Sequence, residues 1–526
     1  MGILQYLFEA DDDIRGSKAR AIFVGMFVAF GGILFGYDTG TISGVLTMDY
    51  VKQTFTSTGG FTASETSLIT SILSAGTFVG AISAPLASDT LGRRYGLFIS
   101  CIIFCVGVIL QTAATTQTLL IVGRVIAGLG VGVLSSIVPL YQSEAAPKWI
   151  RGAVVSCYQW AITLGLLLAS CVNEGTQRRN DSGSYRIPIA LQLLWAIILF
   201  VGMAFLPDTP RFYVKKGKHE AARASLSKLR GLRPDDKYIE EELEEIIANY
   251  EYERSFGDTS ILDCFKPANH QLKRIMTGIA IQGLQQLTGI NFIFYYGVQF
   301  FKTSGISNPF IIQLIMNIVN VVFTVPGIAL VEIAGRRNLL LWGAIGMCVS
   351  EFLVAIIGTA IPDSHAANKT LIAFSCTFIA SFAATWGPLA WVVVGEIYPL
   401  RVRGKSVAIC AGSNWLFNFV IAFITPYLVD EDRANLRSKV FFIWGGCTFL
   451  CIIFVYFFVY ETKGLTLEEI DELYDTVNDA RKSRGFVPTN RYLNLAPIPV
   501  EKESSNENNS LEPGVDKATV EFVEKV

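Results

Sequence analysis

The sequence predicts an all-α membrane protein: twelve transmembrane helices in two six-helix bundles. Three observations carry that prediction. Of the 526 residues, 51% are apolar and only 17% charged, below the roughly 25% charge of soluble domains. The apolar residues gather into twelve stretches of about the 20 residues that cross a hydrocarbon core. Three charged signatures also occur twice, in the same order. Asp89-Thr90-Leu91-Gly92-Arg93-Arg94 returns as Glu332-Ile333-Ala334-Gly335-Arg336-Arg337. Glu144 with Arg151-Gly152 returns as Glu396 with Arg403-Gly404, and Pro207-Asp208-Thr209 as Tyr460-Glu461-Thr462. The offsets are 243, 252 and 253 residues, so the chain repeats one bundle-sized unit.

The elements follow in order. Residues 1–20 are polar and carry Glu9, Asp11, Asp12 and Asp13. They do not read as a signal peptide, so they form a cytosolic N-terminal segment and the first span directs insertion. Spans at 21–46, 66–88, 97–114, 118–142, 153–172 and 187–206 make the N-terminal bundle, 21–206. A polar stretch, 207–273, is a cytosolic linker. In it Ile239, Leu243, Ile246, Ile247 and Tyr250 recur at helical spacing among glutamates, which predicts short amphipathic helices. Spans at 274–300, 311–332, 338–361, 371–398, 405–428 and 440–460 make the C-terminal bundle, 274–460. The tail, 461–526, is cytosolic and, being rich in Glu, Asn and Ser, is expected to be disordered after about 485.

Orientation follows from the basic loops. Arg93, Arg94, Lys148, Arg151, Arg336, Arg337, Arg401, Arg403 and Lys405 share one side, which places that side and both termini in the cytosol. Arg178, Arg179 and Arg186 oppose it in a single outer loop. The sequons at Asn180 and Asn368 fall outside, where glycosylation occurs, and that at Asn508 falls inside. A net charge of −2 gives no reason to expect a nucleic acid partner. The ten cysteines are scattered, without metal-site spacing, and read as small apolar side chains. The three histidines lie outside the spans, which argues against a histidine proton relay. No metal or cofactor is expected.

Polar side chains inside the bilayer face the bundle interior. The richest set is in the seventh span, where Gln282, Gln285, Gln286 and Gly289 share a helical face and Asn291, Tyr295 and Tyr296 follow. Asn414 and Asn418 share a face of the eleventh span, Asn317 and Asn320 one of the eighth, and Gln159 lies in the fifth. In the tenth, Trp386 and Trp391 flank Gly387-Pro388, a predicted helix break. Amides offer donors and acceptors together, which suits an uncharged solute with many hydroxyls. Taken singly, each amide could instead bond a neighbouring helix.

Two charges stand apart. Asp38 in the first span and Arg124 in the fourth lie at the same depth to within a turn, at about 1.5 Å per residue. Pairing relieves the burial of each. The pair is either a permanent structural bridge or a carboxylate whose protonation releases Arg124. Glu351 in the ninth span is the rival acid. Near the inner face, Asp89, Arg93, Arg94, Glu144 and Arg151, with Glu332, Arg336, Arg337, Glu396 and Arg403, are expected to form salt-bridge networks latching the outward-facing state. The positive-inside rule explains the bases but not the paired acids.

These motifs, with Gln285-Gln286-Leu287-Thr288-Gly289-Ile290-Asn291, Pro207-Asp208-Thr209-Pro210-Arg211 and Glu461-Thr462-Lys463-Gly464, resemble the sugar porter family of the major facilitator superfamily over roughly residues 20–475. Phe35-Gly36-Tyr37-Asp38-Thr39-Gly40 and Pro147-Lys148-Trp149-Ile150-Arg151-Gly152 make the chain similar to fungal high-affinity hexose transporters, near the glucose/xylose–proton symporters of yeasts. The resemblance implies sugar contacts at Gln159, Gln285, Gln286, Asn291, Asn320, Trp391 and Asn418, beside the Gln282 of the polar face, and a proton-coupling pair at Asp38 and Arg124. It implies a plasma-membrane carrier of hexose or pentose, a functional monomer in the lipid bilayer with protons as coupling ion. Facilitative uniport is the alternative, since yeast facilitators carry the same Asp. A transporter-like glucose sensor is the second alternative, disfavoured by the short tail. An enzyme is disfavoured because no nucleophile–base set or nucleotide loop appears. Three positions depart from the family pattern: Asp208 replaces Glu, Tyr460 replaces Pro, and Ala383 stands where mammalian facilitators carry Glu.

Overall fold

Eleven helices among the described residues are long and apolar enough to cross a membrane. They are Ala19–Val45, Ala63–Thr90, Arg93–Ala113, Gln117–Ala145, Arg151–Thr176, Gly183–Phe205, Pro309–Ala334, Arg336–Ala360, Lys369–Glu396, Val402–Val429 and Arg437–Phe458. The computed structural model describes residues 17–56, 59–147, 150–254, 260–303, 308–361, 365–430, 433–465 and 467–488. Lys148, most of the N-terminal segment and the tail beyond 488, with Asn508, lie outside the described residues.

The twelfth crossing is the predicted seventh span, and it is broken. Instead of one helix over 274–300 there are two, Gln271–Leu287 and Ile290–Thr303. Gly289 between them has φ +76°, a left-handed conformation that glycine takes without strain. The Trp444 ring occupies the place a side chain would need there. The break in the tenth span falls at Thr385 (φ −135°, ψ −87°), before the helix Trp386–Glu396. Pro388 thus sits in a first turn, where its missing N–H leaves no bond unmade.

Close helix crossings use small residues, the usual device where lipid removes the hydrophobic drive between helices. Where the second and fourth spans cross, a Cβ on Gly128 would lie 3.2 Å from the Gly76 Cα, and one on Gly132 2.9 Å from the Gly80 Cα. A methyl at either place would push the spans apart.

The linker folds into the helices Pro210–Lys215, His219–Arg230 and Lys237–Arg254. They share a small core of Val214, Ala222, Leu226, Ile239 and Leu243, against which Ile246, Ile247 and Tyr250 pack. Arg230 joins this core to the fourth span through Glu242 at 3.0 Å and the Ala145 carbonyl at 2.8 Å.

The start of the tail is also folded. Helix Leu467–Thr476 lies under the base of the seventh span. Arg274 pairs with Asp471 and sits 4.4 Å from the Tyr474 ring centroid. Tyr474 stacks on Tyr460 at 4.5 Å.

Candidate functional site

A small cavity of about 40 Å³ lies between the two bundles. Gln159, Phe35 and Thr39 line it from the N-terminal bundle; Gln285, Gln286, Asn291, Trp391 and Asn414 line it from the C-terminal one. Trp391 is held by an edge-on contact with Tyr158, ring centroids 5.4 Å apart. Gly387 lets Gln159 approach, since a Cβ there would lie 3.2 Å from the Gln159 Cγ.

The amides form one network. Gln285 Nε2 donates to the carbonyls of Trp386 (2.9 Å) and Gly387 (3.0 Å). Its Oε1 accepts from Asn414 Nδ2 at 2.8 Å. Gln286 Oε1 accepts from Asn291 and, at 3.2 Å, from Asn418 Nδ2. The inner half of the seventh span, its outer half and the eleventh span therefore meet on neighbouring amides.

The expected contacts divide. Gln159, Gln285, Gln286, Asn291 and Trp391 line the cavity. Gln282 does not: it is buried, bonded to the Ala390 carbonyl (3.2 Å) and Asn414 (2.7 Å). Asn418 lies one step behind, its Oδ1 accepting from Ser74 Oγ at 2.6 Å and Tyr295 Oη at 3.1 Å. Asn320 is buried with neither amide atom bonded among the described residues, and it does not line the cavity. Asn414, recognised in the sequence only as an amide sharing a face with Asn418, is part of the lining. That shared face was the signal for it.

Polar bonds also join the bundles around the cavity. Asn317 Nδ2 donates to Ser170 Oγ at 2.6 Å, Trp415 Nε1 to Ser135 Oγ at 2.9 Å, and Ser67 Oγ to the Phe423 carbonyl at 2.6 Å. Each is a polar contact between the two bundles.

Asp38 and Arg124 meet in the N-terminal bundle. Arg124 Nη2 lies 3.7 Å from Asp38 Oδ2, with each side chain 1% exposed. Neither carboxylate oxygen has a hydrogen-bond partner among the described residues. This is charge attraction without a hydrogen bond, held away from water. Glu351 is equally buried, with neither oxygen bonded among the described residues.

The charged signatures form one knot per half. Arg93 Nη2 bonds Glu144 at 2.8 Å, and Thr209 Oγ1 donates to the same carboxylate at 2.6 Å. Asp208 accepts the backbone N–H groups of Arg93 and Arg94 at 3.2 and 3.3 Å. In the second half Arg336 Nη2 bonds Glu396 at 2.7 Å and Thr462 donates to Glu396 at 2.8 Å. Glu461 accepts the N–H groups of Arg336 and Arg337 at 2.8 and 3.2 Å. Gly92 and Gly335 start the third and ninth spans at φ +104° and +85°. In each, the capping carboxylate fills the space a Cβ would take. Arg403 bonds the Tyr398 carbonyl at 3.1 and 2.9 Å, within its own half. Arg151 is half-buried at the start of the fifth span.

Two pseudo-repeated bundles around a central polar cavity, braced at one end by repeated charge knots, define a membrane transporter of the major facilitator fold. The sequence agrees with that class. A family model described as "Sugar (and other) transporter" matches residues 24–474, and the chain belongs to that family. It is 55% identical over 501 residues to the major facilitator-type transporter ecdD of Aspergillus rugulosus, covering 92% of each chain. It is 52% identical over 465 residues to the high glucose sensor RGT2 of Saccharomyces cerevisiae, covering 87% of this chain and 61% of the sensor. It is 47% identical over 505 residues to the probable glucose transporter rco-3 of Neurospora crassa, covering 93% of this chain and 85% of that one. Among solved structures, the proton:xylose symporter XylE bound to 6-bromo-6-deoxy-D-glucose superposes with TM-score 0.76 at 28% identity, over 87% of this chain and 100% of that one. The inward-open conformation of XylE from E. coli superposes with TM-score 0.66 at 27% identity, over 86% of this chain and 99% of that one.

Proposed function

We propose that this chain carries a hexose, glucose first and xylose as a related substrate, across the plasma membrane by alternating access, driven by proton symport. Both termini face the cytosol and the unit of function is the monomer. The amide-lined cavity offers paired donors and acceptors to sugar hydroxyls, with the Trp391 indole as an apolar face. The charge knots hold the cytosolic ends of each bundle together while the cavity is reached from outside.

The observation that carries the coupling is the Asp38–Arg124 pair, both 1% exposed and 3.7 Å apart without a hydrogen bond. Leaving one charge unpaired at that depth costs about 2.5–3.5 kcal/mol or more. A proton on Asp38 neutralises the acid and frees Arg124, so proton occupancy biases the bundle between two arrangements. Lower pH favours the protonated form, so sugar affinity falls as pH rises.

The test is concentrative uptake of a labelled glucose analogue by cells expressing only this carrier, at about pH 5 and about pH 7.5, with and without a protonophore. Wild type accumulates the sugar at the lower pH and loses the gradient with the protonophore. Asp38→Asn abolishes accumulation, leaves some downhill exchange and makes affinity insensitive to pH. Wild-type uptake that never exceeds equilibrium makes the protein a facilitator and Asp38–Arg124 a structural pair.

The 52% identity to a high glucose sensor supports a second reading, a receptor built on a transporter fold. Sugar binding to purified protein, with no uptake by cells that display it at the surface, would favour the receptor.

A further inference from the structure

We propose that the groove between the inner half of the seventh span and the twelfth span seats one acidic phospholipid of the cytosolic leaflet. The proposal rests on the topology proposed above, not on the sugar or the proton. The two helices touch at mid-membrane, where Cys451 Sγ lies 3.8 Å from the Leu284 carbonyl and Trp444 packs against Gly289. Between that contact and the Lys273–Tyr460 contact at the base lies a groove of about 480 Å³. Leu272, Met276 and Ala280 line one wall at four-residue intervals, and Phe454 and Phe458 line the other. Leu272, Met276 and Phe458 are exposed. At this depth, acyl chain rather than water covers them.

The groove has a charged floor. Lys273 lines its cytosolic end with His270. The Lys273 ammonium bonds the Tyr460 hydroxyl at 2.5 Å and the Asn478 carbonyl at 3.1 Å, both neutral, and it has no carboxylate partner among the described residues. Its neighbours differ: Lys266 pairs with Asp263 at 2.6 Å and Arg481 with Asp479 at 2.7 Å. An apolar slot ending in an uncompensated cation matches an acyl chain ending in an anionic headgroup. Basic pockets between helices on the cytosolic side are where such headgroups bind. The phosphate faces Lys273 while one chain lies along Met276 and Ala280. The occupied helix is the one that carries Gln285 and Gln286 on its far end, so the lipid braces the base of the sugar site.

The experiment uses the full chain purified in detergent, delipidated, with phosphatidylinositol or phosphatidylcholine added. Native mass spectrometry and thermal unfolding are the readouts, and neither requires transport. We expect one retained phosphatidylinositol per chain, at least tenfold preference over phosphatidylcholine, and a higher unfolding midpoint. Ala280→Phe fills the groove without touching Lys273 and removes both lipids. Lys273→Gln removes the preference but keeps weak binding, and Lys273→Arg restores the preference. Equal retention of the two lipids, or unchanged preference in Lys273→Gln, overturns the proposal. If Lys273→Gln fails to fold, a photoactivatable phosphatidylinositol decides on the wild type: crosslinks at Leu272–Ala280 support the site, and their absence refutes it.

Discussion

The two charge knots use the same bonds, yet they are not equivalent. In the first half Asp89 lies 3.7 Å from Arg93 and is shared with Lys215 at 3.1 Å. In the second half Glu332 bonds Arg336 at 3.0 Å, one methylene longer and closer. That Arg336–Glu332 pair is also what the first half leans on, for Gly152 at the head of the fifth span packs directly against both side chains. Its sequence counterpart, Gly404, has only Leu140 Cδ2 near it, at 3.9 Å from an added Cβ. Duplication preserved the knot within each bundle. Across the seam, Gly152 touches a knot of the other bundle and Gly404 does not.

Arg336→Ala breaks the comparison hardest. It leaves Glu396 and Glu332 without their cation, and losing one partner of a buried pair costs about 3–5 kcal/mol. Arg93→Ala should cost about 1 kcal/mol less, because Asp89 keeps Lys215. Unfolding midpoints of the two variants in detergent measure the difference, and equal losses would make the halves equivalent.

Gly152→Ala sharpens the comparison. The added methyl meets Glu332 and Arg336, an overpacking of about 1–3 kcal/mol, and should slow uptake as well as lower the midpoint. Gly404→Ala, facing open space, should do neither. Equal uptake by the two variants would remove the asymmetry of the seam.

Asp208→Glu is expected to be the mildest change, under about 1 kcal/mol. The second half already holds a Glu against the same glycine geometry and accepts the same two N–H groups. A large loss of stability on thermal unfolding would mean the first half is fitted to its shorter acid.

Much of this was legible in the sequence, and its failures have physical causes. Apolar stretches located the spans because bilayer thickness fixes helix length. The repeated acids and bases announced the knots, since the positive-inside rule accounts for Arg93 and Arg336 but not for Glu144 and Glu396. Helical periodicity put Gln282 on one face with Gln285 and Gln286, but periodicity reports angle and not depth. Gln282 sits one turn, about 5 Å, further toward the charge knots, where Asn414 and the Ala390 carbonyl close the space. The break at Gly289 was hidden because the glycine stands among Gln285, Gln286 and Asn291, polar residues that a continuous helix with one interior face also explains. The clasp of Lys273 and Arg274 on Tyr460, Asp471 and Asn478 joins positions 187, 197 and 205 residues apart in sequence, beyond any local pattern.

The break at Gly289 has a mechanical consequence. A continuous helix would move as one rod, and any tilt of its outer end would drag Gln285 and Gln286 with it. Here the outer piece, Ile290–Thr303, hangs from a single glycine pivot, while the inner piece stays clasped at its base by the tail. Asn291 stands one residue beyond Ile290 on the outer piece and bonds Gln286 across the pivot. Gln286 on the inner piece and Asn291 on the outer piece both line the cavity, so one wall of the site is shared by two separately held helices.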